Sequence, residues 1–209
     1  KDKTVFCLLD DTGILSFEEY SHMGDLEKVS RLEQLIAEFK IKDTNIIVDK
    51  IGLGAGIIGV AETKGIFLVP FIASETNCYS IPHFVLRNRR TEASWMLRED
   101  IKSANIDICE NKEFQKQLMQ IRYKTKEQYI QIEAKDIIKK DLGYSPDYFD
   151  AAIMGNWLRH KNILSELNID FFNLRPKEPS NANQMISLLG GTYQLSRISS
   201  NMLVHEMVY

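Results

Sequence analysis

Ile46-Ile47-Val48-Asp49-Lys50-Ile51-Gly52-Leu53-Gly54-Ala55-Gly56-Ile57-Ile58-Gly59 is the stretch whose reading decides the fold. A short β-branched run ends on a carboxylate, and four glycines follow before apolar residues resume, which predicts a buried strand, a tight turn and a helix. The strand delivers Asp49 to the rim of a sheet. Glycines there let a ligand, a metal or another backbone come close, where bulkier residues would block the approach. Three roles for this segment stay open. Gly54-Ala55-Gly56-Ile57-Ile58-Gly59 matches the dinucleotide pattern G-x-G-x-x-G, with Glu75 about 20 residues on. Against that, Asp49 would lie beside a pyrophosphate, and like charges repel in a low-dielectric turn. Alternatively, Asp49 is an oxygen ligand for a hard cation, or it only starts a turn or caps the next helix.

Outward from this segment, an apolar run from Ile66 to Phe71 gives a second strand after the helix. Strand, helix and strand at this spacing imply a parallel pair with a right-handed crossover, and open sheets bind ligands at the carboxyl ends of such strands. On the N-terminal side, Thr4 to Leu9 and Ile14 to Glu19 flank Asp10-Asp11-Thr12-Gly13, the pattern of a hairpin, with Gly13 available for positive φ. Asp10 and Asp11 are turn residues rather than metal ligands. From Asp25 as N-cap, Leu26, Val29, Leu32, Leu35, Ile36 and Phe39 recur at helical spacing and cover one sheet face.

On the C-terminal side, the segment from Ile72 to Leu86 shows no period, and Arg87-Asn88-Arg89-Arg90 then opens a helix with Ala93, Met96, Leu97 and Ile101 on its apolar stripe. Arginines at a helix start oppose the macrodipole, so they need another partner; phosphate and solvent are the alternatives. Phe114, Leu118 and Ile121 suggest a short helix, and Tyr129 to Ile132 a strand hairpinned with Ile121 to Lys124, leaving Lys124 and Lys126 at the tip. Ser145-Pro146-Asp147-Tyr148-Phe149-Asp150 marks another helix start, in which the dipole accounts for Asp147. Asp150 is different. Ile153, Met154 and Trp157 follow it at i+3, i+4 and i+7, so it points inward and needs a cation or several donors. An internal salt bridge to Lys135 or Arg159 would serve, as would a metal ion shared with Asp49.

The bulk numbers agree with a globular α/β protein. The 209 residues suffice for one domain with an extension or for two small domains, and 44% hydrophobic with 26% charged residues is ordinary for such a chain. Three cysteines without metal-ligand spacing suit a reducing cytoplasm. A net charge of −3 does not announce a nucleic-acid binder, so such a role must come from local basic clusters. No apolar stretch is long enough to span a bilayer and no secretory signal opens the chain, so no membrane partner is expected. Lys1-Asp2-Lys3 leads at once into the first apolar run, as in a piece of something longer.

Taken in order, Asp2-Lys3-Thr4-Val5, Val48-Asp49-Lys50-Ile51-Gly52-Leu53-Gly54-Ala55-Gly56, Asn88-Arg89-Arg90, Arg122-Tyr123-Lys124 and Ser145-Pro146-Asp147 through Asp150-Ala151 resemble the nuclease domain of terminase large subunits, the DNA-packaging motors of tailed bacteriophages. The resemblance covers roughly residues 1 to 157. It implies a ribonuclease H-like mixed β-sheet flanked by helices over 1–160, with a C-terminal extension over 161–209 and a mobile linker near 175–184. It further implies endonucleolytic cleavage of concatemeric double-stranded viral DNA during genome packaging, with two Mg²⁺ or Mn²⁺ ions. Asp49 and Asp150 match metal-binding carboxylates, Asp147 an auxiliary acid, Asp2 an acid after the first strand, and Lys135 a lysine before the final motif. Arg87, Arg89, Arg90, Arg122, Lys124, Lys126 and Lys135 are the residues expected to hold the DNA backbone. The family's first catalytic aspartate and the strand that carries it would precede Asp2, so the first strand is expected to be missing. The Walker-type ATPase loop has no counterpart either, so the expected partners are double-stranded DNA, the ATPase domain of the same parent polypeptide, the portal and the small terminase subunit, in the cytoplasm of the bacterial host. Two aspartates offset half the charge of two divalent ions, so a third carboxylate is expected. The alternative is a non-catalytic DNA-binding or docking module with the same fold.

Overall fold

A computed structural model describes residues 3–51, 54–76, 78, 80–81, 84–126, 128–166 and 203–208. In chain order the elements are β1 (Lys3–Leu9), β2 (Gly13–Ser21), α1 (Asp25–Phe39), β3 (Ile46–Asp49), α2 (Gly54–Thr63), β4 (Val69–Phe71), β5 (Ser80–Ile81) and β6 (Phe84–Leu86). They continue with α3 (Arg89–Lys102), β7 (Asp107–Ile108), α4 (Lys112–Gln120), β8 (Tyr123–Lys126), β9 (Tyr129–Ile132), α5 (Lys135–Leu142), α6 (Asp147–Glu166) and β10 (Leu203–Val208). A six-stranded mixed sheet has the order β4-β3-β10-β1-β2-β7, and a four-stranded one the order β5-β6-β9-β8.

Side-chain alternation in β1 divides the interior into two layers. Phe6 and Leu8 join Ile46 and Val48 of β3 against Val29, Leu32 and Leu35 of α1 and Ile57 and Ala61 of α2. Val5, Cys7, Leu9 and Ile47 face the other way, onto Ala93 and Leu97 of α3, Phe114 of α4, and Ala151, Met154, Trp157 and Leu158 of α6. Covered on both faces, β1 and β3 carry continuous apolar runs, and each fully buried Val, Leu or Ile contributes about 1.5–3 kcal/mol. Because Ile47 points toward α6, Asp49 two residues later points there too. That parity brings the acid at the strand end to the helix that carries Asp150.

The expected hairpin, the parallel β3–β4 pair and the β8–β9 hairpin form. Several local expectations change. Gly13 is not among the positive-φ glycines, which are Gly65 and Gly143 among the described residues; it is needed because a Cβ there would collide with the Asp107 carbonyl of the adjacent β7. Gly24 rather than Asp25 caps α1, its N–H donating to Glu27 Oε2 at 2.7 Å, and Leu26 is 62% exposed instead of facing the sheet. Asp10 does the expected turn work, with Oδ1 accepting from Thr12 N at 2.8 Å and Gly13 N at 3.0 Å.

The larger departure is at the C-terminal end, for which the sequence offered no assignment. β10 stands between β1 and β3, antiparallel to the first (Thr4↔Val208 to Leu9↔Leu203) and parallel to the second (Val204↔Ile46). Residues 203–208 therefore join the two halves of the main sheet, and α6 runs through 160 to Glu166. Asp2 and the linker expected near 175–184 lie outside the described residues.

Candidate functional site

The site forms where the starts of α3 and α6 meet the carboxyl end of β3. Asn88 caps α3, its side chain accepting from Thr91 N at 2.9 Å, which fixes Arg89 and Arg90 in the first turn. Arg90 reaches α6, where Asp150 Oδ1 accepts from its Nε at 3.0 Å and its Nη2 at 2.8 Å, while Nη1 donates to the Glu133 carbonyl at 3.2 Å. Asp150 is 3% exposed, and its second oxygen lies 3.0 Å from Lys135 Nζ at the start of α5. The same ammonium stands 4.0 Å from Asp147 Oδ1. These cations compensate the buried Asp150 carboxylate, which alone would be driven to protonate.

Asp49 shares this field. Burial raises its carboxyl above the usual range; the Ile51 N–H, donating to Oδ1 at 3.1 Å, and the Lys135 charge oppose that, the Asp150 charge adds to it, and Arg90 opposes it. Two acids roughly a hundred residues apart in the chain thus lie within electrostatic reach of each other and of the same two cations. The Lys135 ammonium is itself a cation among carboxylates, so the donor chemistry suits a hard cation. In number the donors fall short: among the described residues no group of three or more His, Cys, Asp or Glu side chains is arranged to hold a metal ion.

The nuclease domain of the large terminase subunit gp2 of bacterial virus Sf6 matches this architecture with a TM-score of 0.55, covering 70% of this chain and 78% of that one at 17% identity. The fold is similar to that of a terminase nuclease domain. At this identity the likeness establishes the mixed α/β fold and leaves the chemistry to the residues. No protein-family model matches the chain, and no curated protein matches it either. No helix among the described residues is long and apolar enough to cross a membrane.

Within this terminase-like fold the expected backbone-binding cations divide. Arg89 is 6% exposed, its guanidinium 3.0 Å from Glu75, 3.4 Å from Glu92 and stacked 4.7 Å above the Trp157 ring. Arg90 is turned inward onto Asp150. Carboxylates in the protein therefore explain arginines that oppose the helix dipole, and the expectation that both face phosphate gives way to ion pairing in the interior. Lys135 likewise pairs with the acids. Arg87 is exposed with its guanidinium 5.4 Å from the Tyr129 ring centroid; Arg122, Lys124 and Lys126 are exposed on and beside β8, with Lys124 Nζ 3.2 Å from Glu133. Arg159, the other partner considered for Asp150, pairs with Asp100 instead. Glu75 is engaged by Arg89, and the G-x-G-x-x-G glycines run from Gly54 into α2 itself, where a Cβ on Gly56 would strike the Asp25 carboxylate of α1. The close approach of two helices accounts for that glycine.

Two buried polar groups escaped the sequence reading. Glu92 Oε2 accepts from Trp157 Nε1 at 3.1 Å. Asp100 Oδ2 meets Asn156 Nδ2 at 2.7 Å, His160 Nε2 at 2.6 Å and Arg159 Nη2 at 3.2 Å. Asp100 follows Ala93 at i+7 and Leu97 at i+3, the spacing that singled out Asp150, so the same rule applied to α3 would have found it.

Proposed function

We propose that the chain is a metal-dependent endonuclease domain that cleaves concatemeric double-stranded viral DNA during packaging, with Asp49 and Asp150 as the carboxylates that hold the metal and Asp147 as an auxiliary acid. The observation that carries this is that Asp49, at the end of a strand, lies within electrostatic reach of Asp150 and of the Lys135 ammonium paired with it, in a fold similar to a terminase nuclease domain. Bound Mg²⁺ or Mn²⁺ would supply charge stabilisation at the phosphate and a more acidic water for hydrolysis. Arg90 orients the Asp150 carboxylate through two hydrogen bonds to one oxygen. Burial raises the Asp49 carboxyl, so a cation bound beside it would relieve the cost of its ionised form. Exposed Arg87, Arg122, Lys124 and Lys126 would hold the backbone, and phosphate contacts give little sequence preference. The ATPase domain of the parent polypeptide, the portal and the small terminase subunit are the partners this reading implies, in the host cytoplasm.

A second reading, a non-catalytic DNA-binding or docking module, is favoured by one observation: both oxygens of Asp150 are engaged by Arg90 and Lys135. Nicking of supercoiled plasmid with Mg²⁺ or Mn²⁺ separates the two. The nuclease reading expects cleavage that chelation abolishes and that Asp49→Asn and Asp150→Asn each reduce by at least about a hundredfold, as for loss of a group that stabilises the transition state. Cleavage that both variants retain in full removes these residues from the chemistry.

A further inference from the structure

Beside the acid cluster, a cleft of about 420 Å³ opens between the outer face of α3 and the α4–β8 connection. Its walls include Trp95 and Tyr123, an edge-to-face pair with ring centroids 5.5 Å apart and planes at 79°. Tyr123 is 50% exposed, so packing does not use up its ring. The Arg98 guanidinium lies 4.6 Å from the Trp95 ring centroid, adding a second planar surface. With Arg98 come Lys102 and Arg122, and the lining contains no Asp or Glu. In a chain of net charge −3, three cations without a lining carboxylate make a local positive site, even with Arg98 paired to Glu99 outside the cleft. Phe149, also in the lining, directly precedes Asp150, and its ring lies 6.0 Å from the Arg90 guanidinium. The cleft and the acid cluster therefore share a wall.

We infer that this cleft receives an unpaired nucleobase of a DNA strand, stacked on Trp95, Tyr123 and the Arg98 plane, with the flanking phosphates on Lys102 and Arg122. Flat aromatic and guanidinium surfaces bind any base through its π-face, and rim cations track the anionic backbone. A purely apolar ligand would leave the cations without a counter-charge, and an acidic peptide would leave the aromatic walls unused. The volume lies within the range of small-ligand sites, roughly 300–1,000 Å³. A strand whose phosphate lies at Asp49 and Asp150 would present a neighbouring nucleotide to this cleft, so the site would hold a base that has left the duplex near the cut. The identity of the polymer rests on the proposed DNA substrate; the stacking geometry does not.

The two tryptophans provide the probe, because Trp157 is buried and engaged by Glu92 while Trp95 lines the cleft. The full chain in chelator is titrated with a short oligothymidylate and, separately, with an abasic oligonucleotide of equal length and charge, following tryptophan fluorescence. Quenching and about tenfold tighter binding of the base-containing strand are expected, with the preference lost in Tyr123→Ala and retained in Tyr123→Phe. Equal affinity for the two strands, or a preference unchanged in Tyr123→Ala, overturns the inference. Metal-dependent plasmid nicking by the unaltered protein is scored independently, so failure of the cleft and failure of the nuclease assignment give different results.

Discussion

Helices α3 and α6 run side by side and bury an acid at each end of their contact, with the roles reversed. Near their starts α6 supplies the acid, Asp150, and α3 the cation, Arg90. Farther along, α3 supplies Asp100 while α6 supplies Asn156, Arg159 and His160. The difference lies in what adjoins each pair. Asp100 has a closed shell of three side chains on one oxygen, and Arg159 is anchored further by donating to the Asp11 carbonyl at 3.0 Å. Asp150 adjoins another acid, Asp49, which accepts from the Ile51 backbone N–H and whose carboxyl burial pushes up. A carboxylate matched by a cation and further donors from the facing helix holds two helices together. A cluster that leaves a neighbouring carboxylate in excess has capacity for a further cation.

The comparison predicts its largest effect at the closed end. Asp100→Ala takes the carboxylate partner from the buried Arg159 guanidinium, and breaking a buried pair by removing one partner costs about 3–5 kcal/mol. Urea unfolding should show this loss. A fall below about 1 kcal/mol would mean that the network is not holding the helices and that the contrast between the two ends is wrong. Asp150→Asn comes next. It leaves Arg90 and Lys135 facing an amide, but Lys135 is about 29% exposed and water shares the cost, so a loss of about 1–3 kcal/mol is expected. Double substitution with Lys135→Met should recover part of that loss, because the pair is then removed together.

How much of this the sequence disclosed follows from how local each signal is. The Asp49 strand, the helix after it, the hairpin and the α6 start are written in contiguous patterns, and period-2 and period-3.6 spacing puts both Asp49 and Asp150 on inward faces. What those patterns could not give is long-range pairing. Leu203 to Val208 is two apolar pairs around His205 and Glu206, without a period-2 signal, and nothing in it names partners near residues 4 and 46. The second sheet is built from strands of two to four residues, too short for a period to register. The ion pairs of Arg89 and Arg90 are illegible for the same reason: their carboxylate partners Glu75 and Asp150 are distant in sequence, and a charge run reads as a surface until its partners are known.

Asp49 offers a smaller and more diagnostic effect. Its raised carboxyl means that the ionised form is disfavoured in the fold, so Asp49→Asn should leave stability unchanged or raise it by up to about 1 kcal/mol, against the usual destabilising direction of a buried substitution. In the unaltered protein, millimolar Mn²⁺ should raise the unfolding temperature, since a ligand bound only by the native state stabilises it, and the shift should vanish in Asp49→Asn. A thermal shift of equal size in both proteins would move the cation site elsewhere.

The smallest effect, and the sharpest contrast between the two ends, is in the acid limb of the stability curve. For Asp100, burial acts upward, but the His160 and Asn156 hydrogen bonds and the Arg159 charge outweigh it and hold the carboxyl below its ordinary value of 3.8. Its contribution is therefore full above that value and is lost as pH falls through the lower folded one. Asp49 has the opposite sign. Its folded carboxyl lies above 3.8, so between that value and the raised one the native state binds more protons than the unfolded chain, and stability falls as pH rises. Asp100→Asn should accordingly flatten the loss of stability on acidification below 3.8, while Asp49→Asn should remove a decline on the alkaline side of it. Parallel urea titrations of the three proteins across this interval measure both slopes. Identical slopes in Asp49→Asn and the unaltered chain would show that Asp49 is as well compensated as Asp100, and the two ends of the helix pair would then be the same kind of structure.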